Sequence, residues 1–295
     1  MPAPRLISGL AELAPHYDAL ICDIWGVVHD GHAPYADAAE ALRRFRDRHG
    51  PVVLLTNAPR SAESVQAQFR AIGVPDDCYD AIVTSGGAAR ADLETRVRAK
   101  DDQATGSRPA AHKAAKLRLY YIGPERDASL FDGLAVARAS VAEAEVALCT
   151  GLVDDLTETP DDYADILAAM KARGLAMICA NPDLKVHRGE QLCWCAGALA
   201  RDYEALGGSV IYYGKPRRPV YDIARSHLSG ARHILAIGDG LVTDIRGANA
   251  AGLDALFIAD GVHGEEIEPY TPEHLERLFA SEGVRALAVC RQLAW

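Results

Sequence analysis

The chain has 295 residues, 49% hydrophobic and 24% charged, with a formal net charge of −10 and a pI near 5.5, a composition that excludes wholesale disorder. The acidic balance argues against a general nucleic-acid or anionic-membrane surface, but a local lysine or a metal can still receive an anionic small molecule. Seven scattered cysteines, and a start (MPAPRLISG) without the apolar run of a secretion signal or a membrane span, imply a cytoplasmic protein with reduced thiols.

Apolar runs alternate with helical patterns in chain order. Residues 19–22 read as a strand, 35–49 as a helix and 52–55 as a strand. A helix opened by Ser61 follows to 72, then a strand over 81–84. The polar tract KDDQATGSRPAAHKAA, 100–115, reads as a surface loop or a connection between domains. KLRLYYIG, AEVALCTG and LAMICANPD supply three further strands, with a helix over 159–172 between the last two. Cys193 and Cys195 flank Trp194, but no second cysteine pair stands at zinc spacing, so they read as buried thiols. SVIYYGK, a helix over 219–228, HILAIGDG and DALFIADG complete the alternation. This order implies parallel sheet wrapped by helices. Polar strand ends are frequent in the first and last thirds and fewer in the middle third. The expected organisation is therefore an α/β protein: a doubly wound parallel-sheet core, residues 1–88 and 187–295, with an α/β cap domain inserted at 89–186.

Four apolar runs end in polar residues of a particular kind. Asp23 follows ALIC, and Thr56 and Asn57 follow VVLL. Gly214 and Lys215 follow VIYY. Asp239 follows ILAIG, with Asp244 five residues on. Ligands of open parallel sheets sit beyond the carboxyl ends of the strands, so these four ends can share one pocket. Two aspartates can hold Mg²⁺, which prefers oxygen ligands. A hydroxyl, an amide and an ammonium complement phosphoryl oxygens, and neighbouring glycines allow close backbone approach. Asp23 can then act as a nucleophile and form an aspartyl-phosphate. Each residue alone also has an ordinary reading, as a turn former, a helix-start aspartate or a solvated lysine. The ordered set outweighs those readings.

With DIWGV, LLTNAPR, YGKP and GDGLVTD standing as first to fourth motifs, the chain resembles the haloacid dehalogenase-like (HAD) hydrolase superfamily over nearly its whole length. The segment ANPDLKVHRG…AGALARDYEALGG…YYGKP looks like subgroup IIA, whose large α/β cap lies between the second and third motifs. Sugar-phosphate, nucleotide and pyridoxal-phosphate phosphatases belong to that subgroup. The resemblance implies a Mg²⁺-dependent phosphatase acting on a small phosphorylated metabolite. Asp23 would be the nucleophile and, with the Trp25 carbonyl and Asp239, a metal ligand. Thr56 and Lys215 would bind phosphoryl oxygens, Gly26 would offer its N–H, and Asn57 would shape the loop. Asp244 would orient the metal waters or Lys215. Cap closure would exclude water and leave substrate choice to cap residues, with Asn181, Asp183, Asp154 and Asp155 near strand ends of the inserted segment. The implied partner is the metabolite, with no nucleic acid and no membrane; a homodimer is left open.

The sequence departs from the pattern at Trp25. The phosphatases of the family carry a second aspartate there, which protonates the leaving oxygen and then activates water. An indole does neither at neutral pH. His29, Asp30 and His32 follow in the same turn, either as substitutes or as a polar surface loop. Two other readings therefore stand beside the phosphatase. One is a catalytically impaired phosphometabolite-binding or regulatory protein. The other is a haloacid-type dehalogenase, whose bulky aromatic Trp25 matches but whose chemistry leaves Asp239 and Asp244 unused.

Overall fold

The runs ALIC (Ala19–Cys22) and VVLLT (Val52–Thr56) are buried at every position. Continuous apolar runs of this kind belong in a parallel sheet covered on both faces. The computed structural model describes residues 4–105, 116–188, 191–261 and 267–295. Its contacts divide the chain into two units. The first comprises Met1–Thr56, Ala62–Val83 and Lys215–Trp295, the second Asn57–Ser61 and Thr84–Gly214.

The first unit contains a seven-stranded sheet in the order Arg5–Leu6, Ala288–Cys290, Asp254–Ile258, Ile234–Gly238, Ala19–Cys22, Val52–Thr56 and Ala81–Thr84. Ala19–Cys22 pairs in parallel with Ile234–Gly238 on one side and Val52–Thr56 on the other. The pairings Ile237 with Cys22 and Cys22 with Leu54 bring three strand ends level at the carboxyl edge. One face buries Ile21, Val53, Leu55, Tyr221, Phe257 and Phe279 in a common core. Helix Arg218–Ser226 contributes Val220, Tyr221 and Ala224 to it, and its Pro219 fits the first turn, where no N–H is needed.

The second unit has its own five-stranded sheet, in the order Val210–Tyr212, Met177–Cys179, Val146–Cys149, Leu117–Ile122 and Val136–Arg138, with every pair parallel. An antiparallel hairpin joins Lys185–Arg188 to Gln191–Trp194. Helices Ala164–Arg173 and Ala196–Ala205 pack Leu167, Met170, Leu199 and Tyr203 on one face of this sheet. The doubly wound α/β class expected from the alternation is the observed one.

Two features differ from the expectation. The second unit runs to Gly214 rather than to 186. Strand Val210–Tyr212 hydrogen-bonds to Met177–Cys179, and helix Ala196–Ala205 packs on the same sheet, which ties this stretch to the insert. The polar tract does not begin as a loop at 100, because helix Ser85–Thr105 runs through its first residues; 106–115 lie outside the described residues. That helix buries a narrow stripe, Ala89 and Leu93 with Val97 packed beside them, and the ion pairs Arg90–Glu94, Asp92–Arg96 and Glu94–Arg98, each four residues apart, add modest support. Among the described residues no helix is long and apolar enough to cross a membrane.

Candidate active site

The first unit's sheet gathers four of the expected residues. Asp23 follows Ala19–Cys22, and its N–H donates to the Ile237 carbonyl at 2.8 Å. Asp239 follows Ile234–Gly238 directly. Oxygens of Asp23, Asp239 and Asp244 lie within 4.8 Å of one another, and all three residues are buried. Lys215 is 3% exposed and donates to Asp23 Oδ1 at 2.5 Å and to Asp244 Oδ1 at 2.7 Å.

Asp244 sits in a short π-helical turn, Leu241–Ile245, whose Ile245 N–H reaches back to the Gly240 carbonyl at 3.1 Å. Such turns recur at functional sites because they re-aim one side chain. Both Asp244 oxygens are engaged: Oδ1 by Lys215, and Oδ2 by the Gly240 N–H of the turn at 3.1 Å. The Tyr221 hydroxyl donates to the Asp244 carbonyl at 3.1 Å. Asp244 thus accepts a hydrogen bond from Lys215 while its own position is fixed by the turn.

Glycines make the room for these carboxylates. A Cβ on Gly26 would lie 2.1 Å from Asp239 Oδ2, and one on Gly261 2.2 Å from the same oxygen. A Cβ on Gly238 would lie 2.3 Å from Asp244 Cγ. Gly26 also has φ +78, which disfavours other residues. Its N–H donates to the His29 carbonyl at 2.9 Å, and the residue leaves clearance for Asp239. Gly261, Gly238 and Tyr221 were not singled out from sequence. The Asp-Gly ending of DALFIADG was the available signal for Gly261.

Two buried carboxylates bond one ammonium, and a third, Asp239, lies beside them. Burial raises Asp23 well above the usual carboxylate range, Asp244 adds to this, and Lys215 opposes it. Burial alone would lower Lys215, but Asp23 and Asp244 outweigh it and hold the ammonium well above its ordinary value. A buried, oxygen-only donor set with an excess of negative charge is the chemistry a hard divalent cation requires. The residues fit Mg²⁺.

Thr56 is 8% exposed at the end of the neighbouring strand. Within the second unit, Asn57 Nδ2 donates to Asp183 Oδ1 at 2.8 Å, and the Asp183 N–H donates to Asn181 Oδ1 at 3.0 Å. Asp154 and Asp155 do not join this group. Asp154 accepts the Leu156 N–H at 3.1 Å, and Asp155 pairs with Arg126.

Trp25 is part of a folded turn. Its indole meets His29 edge-on with centroids 5.3 Å apart, and His29 meets Phe69 at 5.6 Å. A Cβ on Gly31 would lie 2.3 Å from Trp25 Cη2. His29 is 2% exposed and accepts the Gly31 N–H on Nδ1 at 2.8 Å, so this nitrogen carries no proton to give. Asp30 accepts the N–H groups of His32 and Ala33, both at 2.8 Å, and these bonds hold its carboxyl below the usual range. Both residues serve the turn that seats the indole.

Residues 20–135 match the family described as haloacid dehalogenase-like hydrolase, and residues 212–280 match one described as HAD-hydrolase-like. A crystal structure of a haloacid dehalogenase-like family hydrolase from Brucella suis is 40% identical, covers 98% of this chain and 100% of its own, and superposes with a TM-score of 0.81. D-glycerol 3-phosphate phosphatase of Mycobacterium tuberculosis is 29% identical over 261 residues, 86% of this chain. The match spans 66% of that relative's length, just under two thirds. A glycerol phosphate phosphatase from the same organism, solved in complex with magnesium, is 25% identical, with 91% of this chain and 74% of its own covered and a TM-score of 0.62. With a full-length likeness at 40% identity and residues 20–135 and 212–280 matched, the chain belongs to the haloacid dehalogenase-like hydrolases.

Proposed function

We propose that the chain is a Mg²⁺-dependent phosphatase that acts on a small phosphorylated metabolite through an aspartyl-phosphate at Asp23. The observation that carries this reading is the buried set of three carboxylates, two of them bonded to the Lys215 ammonium. The relative named for D-glycerol 3-phosphate supports a small phosphorylated substrate, and the magnesium complex supports the choice of ion. Asp23, Asp239 and the Trp25 carbonyl would hold the ion. Bound there, it supplies positive charge that offsets the negative charge of nucleophile and phosphoryl group.

The remaining steps belong to the chain's own groups. An Asp23 oxygen attacks phosphorus, and the bond from phosphorus to the leaving oxygen breaks with its electron pair on that oxygen. Lys215 shields the approach of two anions as a point charge, and Asp244 keeps it in place. The Thr56 hydroxyl donates to a phosphoryl oxygen, and the loop at Asn57 holds that hydroxyl. Water then attacks the phosphorus of the aspartyl-phosphate and returns Asp23 and inorganic phosphate. A panel of phosphorylated metabolites, assayed with and without Mg²⁺, tests the reading. Turnover that requires Mg²⁺ and disappears in Asp23→Asn supports it. Equal turnover in Asp23→Asn contradicts it.

The setting of Trp25 favours a second reading, a protein that binds phosphorylated metabolites and turns them over slowly. General acid–base help contributes about 10²–10⁴ in rate, and His29 and Asp30 are engaged in seating the indole. Rapid hydrolysis of an alkyl phosphate by the wild type would contradict this second reading.

A further inference from the structure

The Asn57–Asp183 hydrogen bond within the second unit has a built setting on both sides. Asp183 is fixed by its own backbone. Its N–H donates to Asn181 Oδ1, and its carbonyl accepts the Gly197 N–H at 3.1 Å, at the start of helix Ala196–Ala205. Gly197 lets the turn come this close, since a Cβ there would lie 2.2 Å from the Pro182 carbonyl oxygen and 2.5 Å from that of Asp183. Asn57 is 6% exposed. Its amide nitrogen faces Asp183, and its amide oxygen faces Gly214. A Cβ on Gly214 would lie 2.6 Å from Asn57 Oδ1 and 2.7 Å from the Pro182 ring, and the φ of +121 there also favours glycine. The turn Asn181-Pro182-Asp183 therefore grips two chain positions at once. Asn57 directly follows Thr56, and Gly214 directly precedes Lys215.

We infer that Asp183 is a positioning residue. It acts through Asn57, fixing the peptide that carries the Thr56 hydroxyl and, by the packing of Asn57 on Gly214, the peptide that leads into Lys215. Its Oδ1 is engaged by the Asn57 amide, which assigns it to positioning rather than to the choice of leaving group that the sequence suggested. The inference rests on the phosphoryl-binding reading of Thr56 and Lys215. Displacement of a binding group by about 1 Å can cost up to 10²-fold, so a residue that touches no substrate can matter at this scale.

The full-length protein tests this with Asp183→Ala, Asp183→Asn, Asn57→Asp and the reciprocal pair Asn57→Asp with Asp183→Asn. Three readouts are needed: hydrogen exchange on peptides covering 52–61 and 210–216, tungstate affinity in Mg²⁺, and kcat and KM on p-nitrophenyl phosphate. Asp183→Asn keeps an acceptor oxygen for Asn57 and should stay within about threefold of wild type, whereas Asp183→Ala should speed exchange in both peptides and weaken tungstate by about tenfold or more. Asn57→Asp sets two carboxylates face to face and should resemble Asp183→Ala. The reciprocal pair restores an amide-to-carboxylate bond with the groups exchanged, and should recover exchange protection and tungstate affinity together. Unchanged exchange in Asp183→Ala would overturn the inference. So would faster exchange with unchanged tungstate affinity, or a reciprocal pair no better than Asn57→Asp. If exchange responds as expected but the wild type neither binds tungstate nor hydrolyses the ester, the phosphatase reading has failed and the Asp183–Asn57 latch alone remains.

Discussion

The Lys215 ammonium donates to Asp23 Oδ1 at 2.5 Å, with both side chains buried. A second bond of 2.7 Å ties the same ammonium to Asp244, so Lys215 is a linchpin between two carboxylates rather than a residue at the mouth of the site. Removing one partner of a buried ion pair typically costs about 3–5 kcal/mol. Lys215→Ala should therefore lower stability by that order in urea denaturation of the metal-free protein, and Mg²⁺ should recover part of the loss by replacing the missing positive charge. Tungstate affinity should fall as well. Unchanged stability and anion affinity would show that the ammonium is dispensable.

The Asp239 carboxylate lies in the clearance left by Gly26 and Gly261. Asp239→Ala should abolish Mg²⁺ binding in calorimetry while leaving the Asp23–Lys215–Asp244 contacts in place. Gly261→Ala should weaken Mg²⁺ in the same assay, because its Cβ would push on the carboxylate at 2.2 Å. Wild-type affinity in both variants would remove Asp239 from the metal site.

The turn that carries Trp25 should be sensitive at Gly31. An alanine there meets the indole at 2.3 Å and must also adopt φ near +92. The expected cost is about 1–3 kcal/mol, read from chemical denaturation. A double variant Gly31→Ala with Trp25→Ala should lose less than the sum of the single changes, because the clash is then gone. Strict additivity would mean that indole and glycine are not in contact.

Trp25→Asp should raise turnover of alkyl phosphates relative to aryl phosphates. An aryl leaving group departs with little protonation, whereas an alkoxide needs a proton, and general acid help contributes about 10²–10⁴. The wild type should accordingly favour p-nitrophenyl phosphate over a glycerol phosphate by a wide margin, and the variant should narrow it. A thermal melt run alongside separates this effect from loss of the packing on His29 and Gly31. A wild type that handles both esters alike, with no gain in the variant, would show that another residue supplies the proton.

Much of this arrangement was legible before the structure. Strands such as Ala19–Cys22 and Ile234–Gly238 are short unbroken apolar runs, and the polar residue at each end declares the carboxyl edge of the sheet. Asp23, Lys215, Asp239 and Asp244 were found from that pattern. The end of the insert was not legible, because helix Ala196–Ala205 and strand Val210–Tyr212 carry nothing in their own residues that says which of two parallel sheets they join. Helix Ser85–Thr105 escaped because its buried stripe, Ala89, Leu93 and Val97, is narrow and set among many charged residues. The bonds made by Asp183 and Gly26 were not legible for a related reason. Local sequence gives a carboxylate and an N–H, but only the tertiary structure shows that Asn57 and the His29 carbonyl are bonded to them.

The most direct test of an aspartyl-phosphate at Asp23 is rapid-quench trapping with p-nitrophenyl phosphate and Mg²⁺, followed by mass spectrometry of the peptide that contains residue 23. Wild-type protein should release a burst of nitrophenolate matching the enzyme concentration, and an acid-stable, hydroxylamine-sensitive phosphoryl group should appear on Asp23. Both should be absent from Asp23→Asn. Sustained Mg²⁺-dependent hydrolysis with no phosphoryl group on Asp23 at any quench time, and equal hydrolysis by Asp23→Asn, would contradict it.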